Sequence, residues 1–230
     1  MKKNLKVALN LVCKLIMLPL AALCMIEQHF LPQSELVFNT CAQLVSILPG
    51  IPGAFLRRGF YHWTLEKCSL DCHIGFGTIF SHRETIVEDH VYIGNYALIG
   101  SAHLHKHCLI GSRTSILSGK ALHVIGDDGL WTPYTAERLA RVVLGTNVWV
   151  GESAVIVADV GDNSMVGAGA VVTTNVKPGI IVTGNPARFV GKLQPETPKE
   201  KDNTANPKQN NEVKSLETEK TTSTEDQVTH

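Results

Sequence analysis

Between residues 71 and 193 an aliphatic residue followed by glycine keeps returning: Ile74-Gly75, Ile93-Gly94, Ile99-Gly100, Ile110-Gly111, Leu144-Gly145, Val150-Gly151, Val160-Gly161 and Val166-Gly167. The steps from 93 to 99, 144 to 150 and 160 to 166 are each six. Six is neither a helical nor a simple strand period, so it calls for a repeat architecture. One short strand and one turn use six residues, and three such units make a triangular coil. The aliphatic side chain points inward onto its equivalents in neighbouring coils, and the next residue sits at a tight corner where glycine avoids a Cβ clash. About 90 residues fit, or roughly five coils of eighteen. The period slips between Ile74 and Ile93, Ile99 and Ile110, and Val150 and Val160, which short bulges or loops absorb. The largest interruption, about 120–141, contains Gly126-Asp127-Asp128-Gly129, Trp131 and Pro133, and reads as a loop ejected from the coil. The predicted fold is mainly β, a three-sided parallel β-helix.

The flanks follow other patterns. Residues 1–70 read as helical. Leu15–Ile26 is an unbroken apolar run of twelve residues containing Pro19, and extending it back to Leu5 brings in Asn10 and Lys14. A spanning helix needs about 20 apolar residues. Cys24-Met25-Ile26-Glu27 does not resemble a signal-peptidase site. A helix lying on the inner face of a membrane is expected, with a spanning helix or a helix packed on the protein or an oligomer partner as alternatives. A second helix should start after Ser34 as N-cap and break at Pro49-Gly50-Ile51-Pro52-Gly53. Phe55–Trp63 then suits an interfacial segment or a helix capping the next domain. Residues 194–230 have no aromatic residue and only Val213, Leu216 and Val228 as large aliphatics, so disorder is expected there.

Charge sharpens this picture. The net charge is zero, yet residues 1–70 carry seven Lys/Arg against three Asp/Glu, while residues 71–193 carry nine against ten. The central segment therefore offers no basic face for nucleic acid, and the basic excess beside the most apolar stretch points to contact of residues 1–60 with a membrane surface. Cys13, Cys24, Cys41, Cys68, Cys72 and Cys108 form no CxxC pair and read as thiols of a reducing compartment. A cytoplasmic protein at the inner membrane face is expected.

Three segments resemble the hexapeptide-repeat acyltransferases, the group of galactoside, maltose, xenobiotic and serine acetyltransferases. Val148-Trp149-Val150-Gly151 looks like that group's coil start, Val166-Gly167-Ala168-Gly169-Ala170-Val171-Val172-Thr173 like its glycine-alanine stretch, and Gly184-Asn185-Pro186-Ala187-Arg188 like its closing motif. The resemblance spans about Cys72 to Lys192. It implies a left-handed parallel β-helix and an acyl-CoA-dependent acyltransferase, with acetyl-CoA as donor co-substrate, no metal, and a homotrimer with sites shared between subunits. Trp149, Gly151, Ala168, Gly169, Thr173 and Arg188 would contact coenzyme A, the glycines by letting the pantetheine arm approach and Arg188 by meeting phosphate.

Ile116-Leu117-Ser118-Gly119-Lys120-Ala121-Leu122-His123 is similar to the segment of galactoside-type enzymes that ends in the catalytic histidine. Carried over, His123 is the general base: an imidazole with an ordinary pKa of about 6.5 takes the acceptor's proton as it attacks the thioester, and a backbone N–H stabilises the oxyanion. His82 is the alternative base. Phe80-Ser81-His82 looks like the Asp-His pair of serine acetyltransferases but has serine where the orienting carboxylate would stand, leaving Glu84 or Asp89 as substitutes. His103, His105 and His107 alternate as if along one strand face. That raises a γ-class carbonic anhydrase-like zinc enzyme as a second reading, disfavoured by histidine spacing. A non-catalytic membrane-associated scaffold is the third. The acceptor is expected to be small, a sugar of a surface polysaccharide or glycan, with O- or N-transfer left open.

Overall fold

The computed structural model describes residues 2–120, 122–132 and 135–193. The tail at 194–230, expected to be disordered, and Pro133 of the expected loop lie outside the described residues.

Three helices precede the repeats: α1 (Lys2–Phe30), α2 (Leu36–Ser46) and α3 (Gly50–Thr64). The break between α2 and α3 is confined to residues 47–49, because Pro52 falls in the first turn of α3, where its missing N–H has no helical partner to lose. Ser34 is not the cap of α2 that its sequence position suggests. Glu27 on α1 takes that role, its carboxylate accepting the Val37 and Phe38 N–H groups at 2.8 and 3.0 Å.

The repeats form a three-sided parallel solenoid. The first coil carries β1 (Lys67–Cys68), β2 (His73–Ile74) and β3 (Ile79–Phe80). The second carries β4 (Ile86–Val87), β5 (Tyr92–Ile93) and β6 (Leu98–Ile99), and the third β7 (Ala102–Leu104), β8 (Leu109–Ile110) and β9 (Ser115–Ile116). After a long loop come β10 (Val142–Leu144), β11 (Trp149–Val150) and β12 (Val155–Ile156). A fifth coil holds β13 (Met165–Val166) and β14 (Val171–Val172), with Val160 bridging to Leu144 on its remaining side. A sixth coil opens with Val176 and β15 (Ile180–Thr183), so the stack runs about one coil beyond the five read from the sequence. The hexapeptide period becomes one inward side chain per side. Cys68, Val87, Leu104, Leu144 and Val160 stack on the first side; Ile74, Ile93, Ile110, Val150 and Val166 on the second; Phe80, Ile99, Ile116, Ile156 and Val172 on the third, all buried. Burial of a side chain of this size contributes about 1.5–3 kcal/mol, and no single coil can secure it alone.

Hydrogen bonds link neighbouring coils in both directions. Tyr92 N donates forward to Cys108 O at 2.9 Å and Leu109 N to Val148 O at 2.8 Å, while His90 N donates back to Asp71 O at 2.7 Å. Carbonyls of the first coil that would accept from a preceding coil have no such donor, and the helices supply one. His62 Nδ1 lies 2.7 Å from Cys68 O, Asn10 Nδ2 3.1 Å from Leu70 O, Arg58 Nη1 2.7 Å from Cys72 O and Arg57 Nε 3.0 Å from Ile74 O. The segment Phe55–Trp63 is therefore a cap on the solenoid, with the Tyr61 ring edge-on to Phe80 at 4.6 Å. At the other end β16 (Arg188–Lys192) pairs antiparallel with β15 and covers the sheet edge.

Candidate functional site

The interruption of the repeat is a loop between β9 and β10. Its neck is closed where Ala140 N meets Ser118 O at 3.0 Å, and Arg141 pairs with Glu66 beside the first coil. Beyond the neck, Ile125 and Trp131 form an antiparallel bridge, closed by Gly126 N on Leu130 O at 2.8 Å. His123 precedes this bridge on exposed chain, with Nδ1 2.8 Å from Thr132 O. A carbonyl only accepts, so in the neutral ring Nδ1 carries the proton and Nε2 the lone pair. The Thr132 hydroxyl is itself tied by Val124 N and Arg138 Nη1, both at 3.1 Å, which anchors the carbonyl that orients the ring.

His82 occupies the same corner of the triangle in the first coil, between β3 and β4. Its Nδ1 lies 2.7 Å from Glu35 Oε2, and Glu35 Oε1 accepts the Arg83 N–H at 2.8 Å. The sequence offered only Glu84 and Asp89 as orienting carboxylates. The group that stands there comes from the turn before α2, a contact across 47 residues that no local spacing reveals.

The residues expected to meet coenzyme A group elsewhere. Trp149 is half exposed on the outer face of the second side, in register with Leu109 and Met165. Gly151, Ala168 and Gly169 form the adjoining corner. There a Cβ on Gly151 would run into the Ala168 backbone, while Gly169 has φ +67° and open space. Thr173 is exposed just past β14, and Arg188 is exposed at the start of β16. The loop bearing His123 leaves from the corner between the third and first sides. That vertex lies opposite the side that carries Trp149.

The histidine row is not the single face expected of it. His103 lies on β7 and His105 follows it, their rings stacked at 3.9 Å, whereas His107 turns away at φ +64° and stacks on His90 at 4.8 Å. The strand ends at Leu104, so strict alternation stops before His107.

This chain is similar to hexapeptide-repeat acetyltransferases in both sequence and fold. It is 29% identical over 124 residues to the galactoside O-acetyltransferase of Escherichia coli, covering 53% of this chain and 54% of that protein. It is 29% identical over 136 residues to the bifunctional protein GlmU of Streptococcus uberis, covering 55% of this chain and 29% of that protein. The chain thus spans about half or less of the length of these relatives. A solved galactoside acetyltransferase in complex with coenzyme A superposes with a TM-score of 0.56 at 17% identity, covering 69% of this chain and 80% of that one, and shares its fold. No family profile matches the chain.

Proposed function

We propose that this chain is an acetyl-CoA-dependent acetyltransferase whose general base is His123. The observation that carries the reading is the Nδ1 contact of His123 with Thr132 O, which leaves an exposed Nε2 lone pair on the loop that interrupts the repeats. Acetyltransferase relatives and the shared fold support the donor. In the proposed reaction Nε2 accepts the proton of an acceptor hydroxyl or amine as that atom attacks the thioester carbonyl. The tetrahedral intermediate then collapses, expelling the coenzyme A thiolate, which takes the proton back from the imidazolium. Trp149, Gly151, Ala168, Gly169, Thr173 and Arg188 would hold coenzyme A. Because Trp149 and the loop occupy opposite parts of the triangle, the reading requires a site shared between copies, as in a homotrimer. The acceptor would be a sugar of a surface polysaccharide or glycan, and the cytoplasmic membrane face, reached through the exposed side of α1, would bring the enzyme to it.

The test is thiol release from acetyl-CoA against a panel of sugars and amines. His123→Ala should lower kcat by about 10²- to 10⁴-fold with coenzyme A affinity retained; an unchanged kcat would overturn the assignment. The His82–Glu35 pair supports a second reading in which His82 is the base. It predicts that His82→Ala, rather than His123→Ala, abolishes turnover.

A further inference from the structure

We infer that Glu88, His103 and His105 form a binding site for one divalent transition-metal ion, separate from the acyl-transfer site. The solenoid register creates it. Ile86 pairs with His103 and Val87 with Leu104, so Glu88, one residue on, falls beside His105 in the next coil. His103 stands two residues before His105 on the same outward face. Three donor atoms result, all within 4.8 Å of one another. His103 Nε2 lies 2.9 Å and His105 Nδ1 3.3 Å from the same oxygen, Glu88 Oε1, so both ring nitrogens already converge on one point.

The dimensions suit zinc. Bonds of about 2.0–2.1 Å in a tetrahedral site place neighbouring donors roughly 3.3 Å apart, close to the 2.9 and 3.3 Å that separate the carboxylate oxygen from the two ring nitrogens. Imidazole with carboxylate is also a donor set that first-row transition ions prefer to calcium or magnesium. The carboxylate is held from behind, its Oε2 accepting the Lys106 N–H at 3.2 Å, which leaves Oε1 turned to the rings. Side-chain exposures of 17% for Glu88, 22% for His103 and 34% for His105 give a shielded site with an open approach. Three protein ligands leave a fourth position for water, and the ion would staple the second coil to the third.

The experiment uses the full chain, stripped with chelator and titrated with zinc chloride by calorimetry and with cobalt chloride by absorption. One equivalent should bind, with a cobalt spectrum of nitrogen and oxygen ligation and a raised Tm. His103→Ala, His105→Ala and Glu88→Gln should each weaken zinc by more than about 100-fold, since loss of a mere supporting partner already costs about 10- to 100-fold. His107→Ala should leave it unchanged. Three results would overturn the inference: no stoichiometric binding by the wild type, binding that survives all three substitutions, or a thiolate-to-cobalt charge-transfer band showing that the cysteines take the metal. Circular dichroism of Glu88→Gln, which keeps size and surface position, separates loss of the site from loss of fold.

Discussion

Arg58 places Nη1 2.7 Å from the carbonyl oxygen of Cys72, the position that in the second and third coils, at Val91 and Cys108, accepts a strand N–H. With Arg57 on Ile74 O, it ends the solenoid by answering carbonyls that have no preceding coil. This explains why two arginines can be almost fully buried without a carboxylate within ion-pair distance among the described residues. Arg57 also donates Nη1 to Leu48 O and Ser46 O at the end of α2. Arg57→Met keeps the aliphatic stem and strands the Ile74 and Leu48 carbonyls, while Ser46 O keeps the Gly77 N–H. Since one such group costs about 1–3 kcal/mol, urea unfolding should show a loss of at least that size. An unchanged midpoint would mean that water replaces the guanidinium.

Acid should unfold the helical cap through Glu27. Burial alone would raise its carboxyl, but hydrogen bonds from Val37 N, Phe38 N, the Ser34 hydroxyl and Arg83 outweigh that and hold it below the ordinary carboxylate value. A depressed value means that the unfolded chain binds the proton first as pH falls. The contribution is complete above the unfolded carboxyl's pKa of about 4.3 and is lost as pH drops through the folded value. Tm measured from pH 7 to pH 3 should therefore fall less steeply in Glu27→Gln, which starts from a lower Tm.

Two glycines of one corner should respond differently to alanine. At Gly151 the new methyl meets the Ala168 backbone and two coils must separate, whereas at Gly169 it meets nothing and only the left-handed backbone resists. The first should cost about 1–3 kcal/mol and the second about 1–2 kcal/mol. The distinguishing reading is packing: Gly151→Ala should disturb the amide resonances of Ala168, and Gly169→Ala should leave the neighbouring coil's unchanged.

Sharing of the site between copies can be tested by complementation. His123→Ala and Trp149→Ala chains, each inactive alone, should regain part of the activity when co-expressed, because a mixed assembly contains interfaces with both native residues. Activity no greater than the sum of the two separate variants would show that each site is built within one chain.

The proposed membrane contact rests on α1. By length and composition Asn4–Phe30 could cross a bilayer. Yet Trp63 Nε1 on Lys14 O at 3.0 Å, Arg58 Nη2 on Asn10 Oδ1 at 2.7 Å and the Arg83–Glu27 pair bind its whole length to the cap. Leu11, Leu15 and Ile16 remain exposed on its outer side. Such a helix should lie on a surface. The protein should co-sediment with anionic lipid vesicles, and Leu15→Glu with Ile16→Glu should abolish this while preserving the circular dichroism spectrum.

The solenoid was legible in the chain because its physics is local: an inward aliphatic residue every six positions and a small residue at the corner suffice to write the coil, and the loop shows as the place where the period fails. The helical character of residues 2–64 was equally plain from their apolar run and proline breaks, but the solenoid's first strand, Lys67–Cys68, lies inside the segment read as helical, because its pairing with Ile86–Val87 is not a local signal. What stacks on what was not legible. Glu35 reaches His82, Glu88 reaches His105, and Glu27 rather than Ser34 caps α2, because these pairs are set by coil register and by helix docking across tens of residues. Local sequence encodes periodicity, which one residue and its near neighbours carry. Only the closed, stacked chain decides which distant polar groups share a low-dielectric space and must therefore satisfy one another.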